Sequence, residues 1–292
     1  MTDIRDRAVR LYDAYTHDHR DRRELLRGMT ALLGSIAAAE TMIGGIAASS
    51  ASAAVIAADD KRIAVKTVVS PDPAALPNSY VAAPRSTAGK RVPVVLVIHE
   101  NRGLNAHIED VARRLAVAGF WAIAPDFLTP QGGTPADQDR ARALIGSLDY
   151  PRALAQALAL LAGAQGQASW NGKAGAVGFC WGGAFVNRLA VEADDALDAG
   201  VAYYGPAPSP GEAAKVRAPL MLHYAGKDAR VATTGEPWVA ALKAAGKPVE
   251  AFTYPGVDHA FSNDTSVERY DKAAADLAWG RTIAFLRREL DA

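Results

Sequence analysis

The one cysteine of this 292-residue chain stands in Gly178-Phe179-Cys180-Trp181-Gly182-Gly183, between an apolar run and a helix-like stretch. Gly-x-Cys-x-Gly is the spacing of a nucleophile elbow with sulfur in place of the usual hydroxyl. Small residues two before and two after the nucleophile let a strand and a helix approach, and Gly178 and Gly182 are small. The turn would raise the Cys180 sulfur above a sheet, beside helix N-terminal N–H groups that favour an anion. A thiol used this way needs a base and a third group to orient that base. Asp228, in Ala225-Gly226-Lys227-Asp228, and His259, in Pro255-Gly256-Val257-Asp258-His259-Ala260-Phe261, follow later strand-like segments in the order acid, then histidine. Each residue alone has a plainer reading: an inert core cysteine, a turn aspartate, a helix-capping Asp-His pair. The order nucleophile, acid, histidine, each at a strand end, favours a triad.

The loop after the apolar run Val92 to His99 is where such an arrangement takes its second oxyanion donor, the first being the N–H after the nucleophile. The expected donors are the backbone N–H groups of Trp181 and Asn101. Glu100 is unusual there, because a carboxylate opposes developing negative charge. It is expected to pair with the Cys180 thiol at rest and to withdraw when substrate binds; the alternative is a solvated loop acid.

Ile63 to Val69 and Tyr80 to Ala83 read as an antiparallel opening pair. Val92 to His99 is apolar almost throughout, as in a strand buried on both faces. Phe120 to Pro125, Gly175 to Phe179, Ala199 to Tyr204, Pro219 to Tyr224 and Val249 to Tyr254 are further strands. Ala106 to Gly119, Tyr150 to Gly163 and Lys272 to Leu290 are helices. The alternation predicts a mostly parallel central sheet with helices on both faces, and chemistry beyond the carboxyl ends of its strands.

Residues 1–57 differ in character from the catalytic unit expected over 58–292. Ile4, Val9, Leu11 and Tyr12 have helical spacing, a polar run covers Thr16 to Arg20, and a second helix starts near Asp21. Arg22-Arg23, an apolar stretch and Ala51-Ser52-Ala53 resemble a twin-arginine export signal with its cleavage site. The arginines lie far into the chain and Glu40 interrupts the apolar stretch. A retained helical extension and a cytoplasmic protein are therefore preferred, with a cleaved signal and a periplasmic protein as the alternative. No apolar run reaches the ~18 residues of a membrane span.

Apolar residues make up 50% of the chain and charged ones 22%, and 32 basic side chains balance 32 acidic ones. That composition is globular and offers no field for nucleic acid or an anionic membrane. A small-molecule substrate is the expectation. A single cysteine excludes an intrachain disulfide and a Cys-rich zinc site.

His99-Glu100-Asn101-Arg102-Gly103, the Cys180 elbow, the Asp228 loop and Pro255 to Phe261 together resemble the dienelactone hydrolase (carboxymethylenebutenolidase) family. More narrowly, the chain resembles its bacterial branch with an N-terminal helical extension, in which Arg269-Tyr270-Asp271-Lys272 and Ala275-Asp276-Leu277-Ala278-Trp279 are also typical. The resemblance implies an α/β-hydrolase fold and a Cys180-His259-Asp228 triad. It also implies a glutamate, Glu100, touching the cysteine, and hydrolysis of a small lactone or ester through an acyl-enzyme without metal or cofactor. Where the family's best-known members hold a substrate carboxylate with an arginine, this chain has Asn263. A second substrate-binding arginine corresponds to Arg140 or Arg142. Arg102 and Trp181 are further pocket candidates, against the plainer readings of a loop cation and a core aromatic. A broad carboxylesterase or thioesterase, and a non-catalytic interaction protein that keeps the fold, are the alternatives. A homodimer through the N-terminal helices is a further expectation.

Overall fold

Strands that are apolar on both sides need cover on both faces, and the computed structural model of the protein supplies it. The structure describes residues 2–17, 21–47, 54–87, 89–164 and 167–290. Helices α1 (Thr2–His17), α2 (Arg22–Leu33) and α3 (Ile36–Ile46) come first, then strands β1 (Ile63–Val68), β2 (Ser79–Pro84) and β3 (Val92–Ile98). Next are α4 (Ala106–Val117), β4 (Trp121–Pro125), α5 (Gln138–Gly146), α6 (Tyr150–Ala164), β5 (Trp170–Phe179) and α7 (Trp181–Glu192). The chain continues with β6 (Ala199–Tyr203), β7 (Leu220–Ala225), α8 (Ala229–Ala244), β8 (Val249–Tyr254) and α9 (Lys272–Leu290).

The strands form one eight-stranded sheet in the order β1-β2-β4-β3-β5-β6-β7-β8. The first two strands are antiparallel to their neighbours, and pairing from β4 through β8 is parallel. Side chains of β3 alternate between two cores, as the period of a strand requires. Val95 and Val97 pack with Ile108 and Leu115 of α4 and Phe285 of α9. Val94, Leu96 and Ile98 pack with Leu161 of α6, Phe185 of α7 and Trp238 of α8. Helices thus cover both faces, as expected, and the carboxyl ends of β3, β5, β7 and β8 gather at one edge.

The N-terminal helices have a small core of their own, with Val9, Tyr12, Leu25, Met29 and Ile46 buried together. Asp21 caps α2, which carries the paired arginines, and Gly34 at φ 83° ends it. Ser35 then caps α3, and the two helices meet at 112°. Among the described residues no single helix is long and apolar enough to cross a membrane. The expected cleavage site, Ala51-Ser52-Ala53, lies outside the described residues.

These helices are fastened across the strand-end loops. Arg5 pairs with Asp258 at 3.0 Å, Arg269 with Asp13 at 3.2 Å, and Arg22 with Asp139 at 2.5 Å. Tyr15 donates to Asp139 at 2.6 Å, and Ser266 donates to the carbonyl of Ile46 at 2.5 Å. The polar run that begins at Thr16 is still helical at His17, and the Thr16 hydroxyl donates back to the carbonyl of Tyr12 at 3.1 Å.

Candidate active site

Cys180 follows β5 and precedes α7 with φ 53° and ψ −112°, a conformation that costs a non-glycine residue about 1–3 kcal/mol. Its N–H donates to the carbonyl of Tyr203 at 3.0 Å, and the sulfur's residue is 6% exposed. The neighbouring glycines are steric requirements. A Cβ on Gly178 would stand 2.0 Å from the carbonyl oxygen of Gly182, and one on Gly182 2.4 Å from that of Ile98. The elbow therefore holds because strand and helix backbones are almost in contact. Trp181 opens α7, so its N–H is among the helix donors that lack an intrahelical acceptor.

Asp228 and His259 meet beside this turn. Nδ1 of His259 donates to Oδ2 of Asp228 at 2.6 Å, while Oδ1 of Asp228 accepts from the N–H of Val231 at 3.1 Å. Asp228 thus caps the following helix with one oxygen and holds His259 with the other. Asp258, by contrast, is engaged with Arg5. Nε2 of His259 is buried without a hydrogen-bond partner among the described residues, and its ring lies with Cys180 within a 4.8 Å cluster of donor atoms. Burial pushes the His259 pKa down, but the charges of Cys180 and Asp228 outweigh it and raise it to about 10. Burial pushes Asp228 up, yet the charge and hydrogen bond of His259 leave it lowered. The arrangement can carry a proton on His259 beside the Cys180 sulfur, and can return that proton to a leaving group.

Glu100 differs from expectation. Its Oε2 accepts from Nδ2 of Asn263 at 2.9 Å, and Oε1 is buried without a partner among the described residues, so the pairing with the Cys180 thiol is not formed. Asn263 is wholly buried, and its Oδ1 accepts from the hydroxyl of Thr265 at 2.6 Å. With both ends of its amide used, Asn263 orients Glu100 instead of facing a substrate. Arg140 is exposed on α5, away from the cleft around Cys180. Arg142 stacks on Tyr15 at 4.0 Å and donates to its carbonyl, which anchors α1. The Trp181 side chain belongs to an aromatic cluster, stacked 5.2 Å from His99 and packed on Phe127, Tyr150 and Phe185.

The space above the sulfur is only about 20 Å³, walled by Tyr12, Thr16 and His17 of α1 with Glu100, Asn101, Arg102, Cys180, His259, Ala260 and Arg269. Arg102 was expected there; it hydrogen-bonds Tyr12 and Gln138. The three α1 residues and Arg269 were not. His17 sits edge-on to His259 with ring centroids 4.7 Å apart, and burial holds its pKa well below the usual histidine value. The available hint was the Arg269-Tyr270-Asp271-Lys272 motif, which has no chemical pattern of its own; for His17 there was none beyond its being a histidine in a polar run. A roomier cavity of about 470 Å³ lies on the other side of Phe179, lined by His107, Arg114, Asp264 and Trp279, and does not reach Cys180.

A strained cysteine elbow on a mostly parallel, doubly covered sheet, with acid and histidine from later strand ends, defines an α/β-hydrolase. The dienelactone hydrolase family model matches residues 78–290, and the chain belongs to that family. Proteins described as "Putative carboxymethylenebutenolidase" from Escherichia coli (strain K12) and Saccharolobus solfataricus are each 32% identical to it. The first alignment covers 72% of this chain and 82% of the relative, the second 66% and 88%. A crystal structure described as "Putative Dienelactone Hydrolase" from Klebsiella pneumoniae subsp. pneumoniae MGH 78578 superposes with a TM-score of 0.70 at 29% identity. It covers 77% of this chain and 99% of that one. The family match begins at β2, so α1 to α3 lie outside it.

Proposed function

We propose that the protein hydrolyses a small lactone or carboxylic ester through Cys180, His259 and Asp228. The observation that carries this reading is the strained Cys180 elbow beside the His259–Asp228 pair at 2.6 Å. The thiolate attacks the carbonyl carbon, and the oxyanion takes the N–H groups of Trp181 and Asn101. Collapse expels the alkoxide, which takes the proton from Nε2 of His259 and leaves an acyl thioester on Cys180. For a lactone the alcohol stays on the acyl chain. Water then gives its proton to His259 as it attacks the thioester, and the thiolate departs with the acid released. Asp228 holds the ring in the tautomer that both steps use. No cofactor enters any step.

A chamber of about 20 Å³ holds little more than one water, whereas ligand sites usually exceed about 300 Å³. The closed position of α1 therefore excludes an ester, and turnover requires Tyr12, Thr16 and His17 to draw back. Arg102 and Arg269 would then lose Tyr12 and Asp13 as partners and face the opened cleft, which favours a substrate bearing a carboxylate. This reading keeps residues 1–57 on the working protein.

Cys180→Ala should lower kcat/KM on activated esters by about a thousandfold or more while leaving the fold intact. Wild-type turnover in that variant would overturn the reading. Relative rates on lactones, acyl esters and thioesters distinguish a lactone hydrolase from a broader esterase on the same scaffold.

A further inference from the structure

The chamber holds three soft or borderline donors from three separate parts of the chain. One ring nitrogen of His17, the sulfur of Cys180 and one ring nitrogen of His259 all lie within 4.8 Å of one another. Because Nδ1 of His259 is taken by Asp228, the nitrogen it offers is Nε2, which is buried and unpartnered among the described residues. With Nδ1 held by Asp228, Nε2 is left to the Cys180 sulfur and the second imidazole, a place that a proton or a cation can take.

We propose that His17, Cys180 and His259 form a site for Zn²⁺ or a similar borderline divalent cation, which locks α1 over Cys180. Two imidazoles and a thiolate suit zinc, with a water in the fourth position of a tetrahedron. Zinc–nitrogen and zinc–sulfur bonds of about 2.0–2.3 Å place tetrahedral ligands roughly 3.3–3.7 Å apart. Closing the widest allowed separation then asks for about 0.6 Å from each partner, within the reach of side-chain torsions. His259 already has the second partner usual for a metal-bound histidine, a carboxylate on its other nitrogen, here Asp228 at 2.6 Å. Arg102 and Arg269 also line the chamber, but their guanidinium groups are engaged with Tyr12, Gln138, Asp13 and Ser266, and Glu100 beside them keeps a buried, unpartnered Oε1 among the described residues. Coordination uses the Cys180 thiolate and displaces the proton on Nε2 of His259, which leaves to solvent. A bound ion removes the nucleophile and base together and ties α1 to the elbow, so it is an off-state of the enzyme. The site does not depend on Cys180 being catalytic, only on its being a thiolate donor.

Titration of the metal-free full-length protein with Co²⁺ tests this without an activity readout. The expected result is a near-ultraviolet thiolate-to-cobalt band at one equivalent, displaced by Zn²⁺ and abolished in Cys180→Ser. His17→Ala, or His17→Asn should the alanine variant misfold, should weaken Co²⁺ binding by about tenfold or more. Zn²⁺ should also block alkylation of Cys180 by iodoacetamide in wild type, and much less in the His17 variants. No cobalt–thiolate band up to millimolar Co²⁺, or equal affinity in wild type and the His17 variants, would overturn the site. Absence of ester turnover both with and without the ion would count against the hydrolytic reading alone, whereas turnover that requires the ion would overturn the off-state.

Discussion

Gly182 and Gly280 show how little residue type says without position. At Gly182 an added Cβ meets two backbone carbonyls, 2.4 Å from Ile98 O and 2.6 Å from His99 O, neither of which can swing aside. Gly182→Ala should therefore lower stability by about 3 kcal/mol or more in denaturant unfolding. At Gly280, inside α9, an added Cβ meets nothing within 4 Å, and Gly280→Ala should raise stability by about 0.5–1 kcal/mol. The elbow pattern was legible because its spacing alone encodes this contact. The proximity of Asp228 and His259 was legible because strand order dictates where the two residues fall. Asn263 was legible as a departure from the family and not as the residue that holds Glu100, since that contact needs three dimensions. His259 also links the site to stability. Its folded pKa, about 10, lies above the usual 6.5, so its contribution is full below about pH 6.5 and is lost as pH rises through about 10. Thermal unfolding of the wild type should weaken from pH 7 to 10 more steeply than that of His259→Gln.

At the scale of elements, the sheet and its covering helices could be read from hydrophobicity because burial on two faces is itself an apolar signal, as in β3. The role of α1 could not. Its site-facing residues, Tyr12, Thr16 and His17, are polar or amphipathic, and the meaning of two of them comes from more than two hundred positions away: Arg269 lies over the Tyr12 ring and His259 against the His17 ring. If α1 is a gate, loosening its anchors should expose Cys180. Arg5→Ala combined with Arg142→Ala removes the pair to Asp258 and the stack on Tyr15, worth together on the order of 1–2 kcal/mol. Iodoacetamide should then label Cys180 about tenfold faster than in wild type. An unchanged rate would mean that the cleft opens by another route.

For the whole molecule, equal numbers of basic and acidic side chains leave no global field to gather a charged substrate. Selection then rests on the chamber and on what opens it. The family's fold supplies elbow, acid and histidine, while the helices outside the family match supply its roof. Recognition of family and reaction class came from the first, and the narrowness of the chamber is a property of the second. Both converge on one atom, the Cys180 sulfur. Intact-protein mass spectrometry after brief mixing with a slowly turned-over activated ester measures directly what forms there. A single acyl adduct mapped by digestion to Cys180, decaying on removal of ester and absent in Cys180→Ser, is the expected result; rapid ester turnover with an unmodified Cys180 and an active Cys180→Ala variant would contradict it.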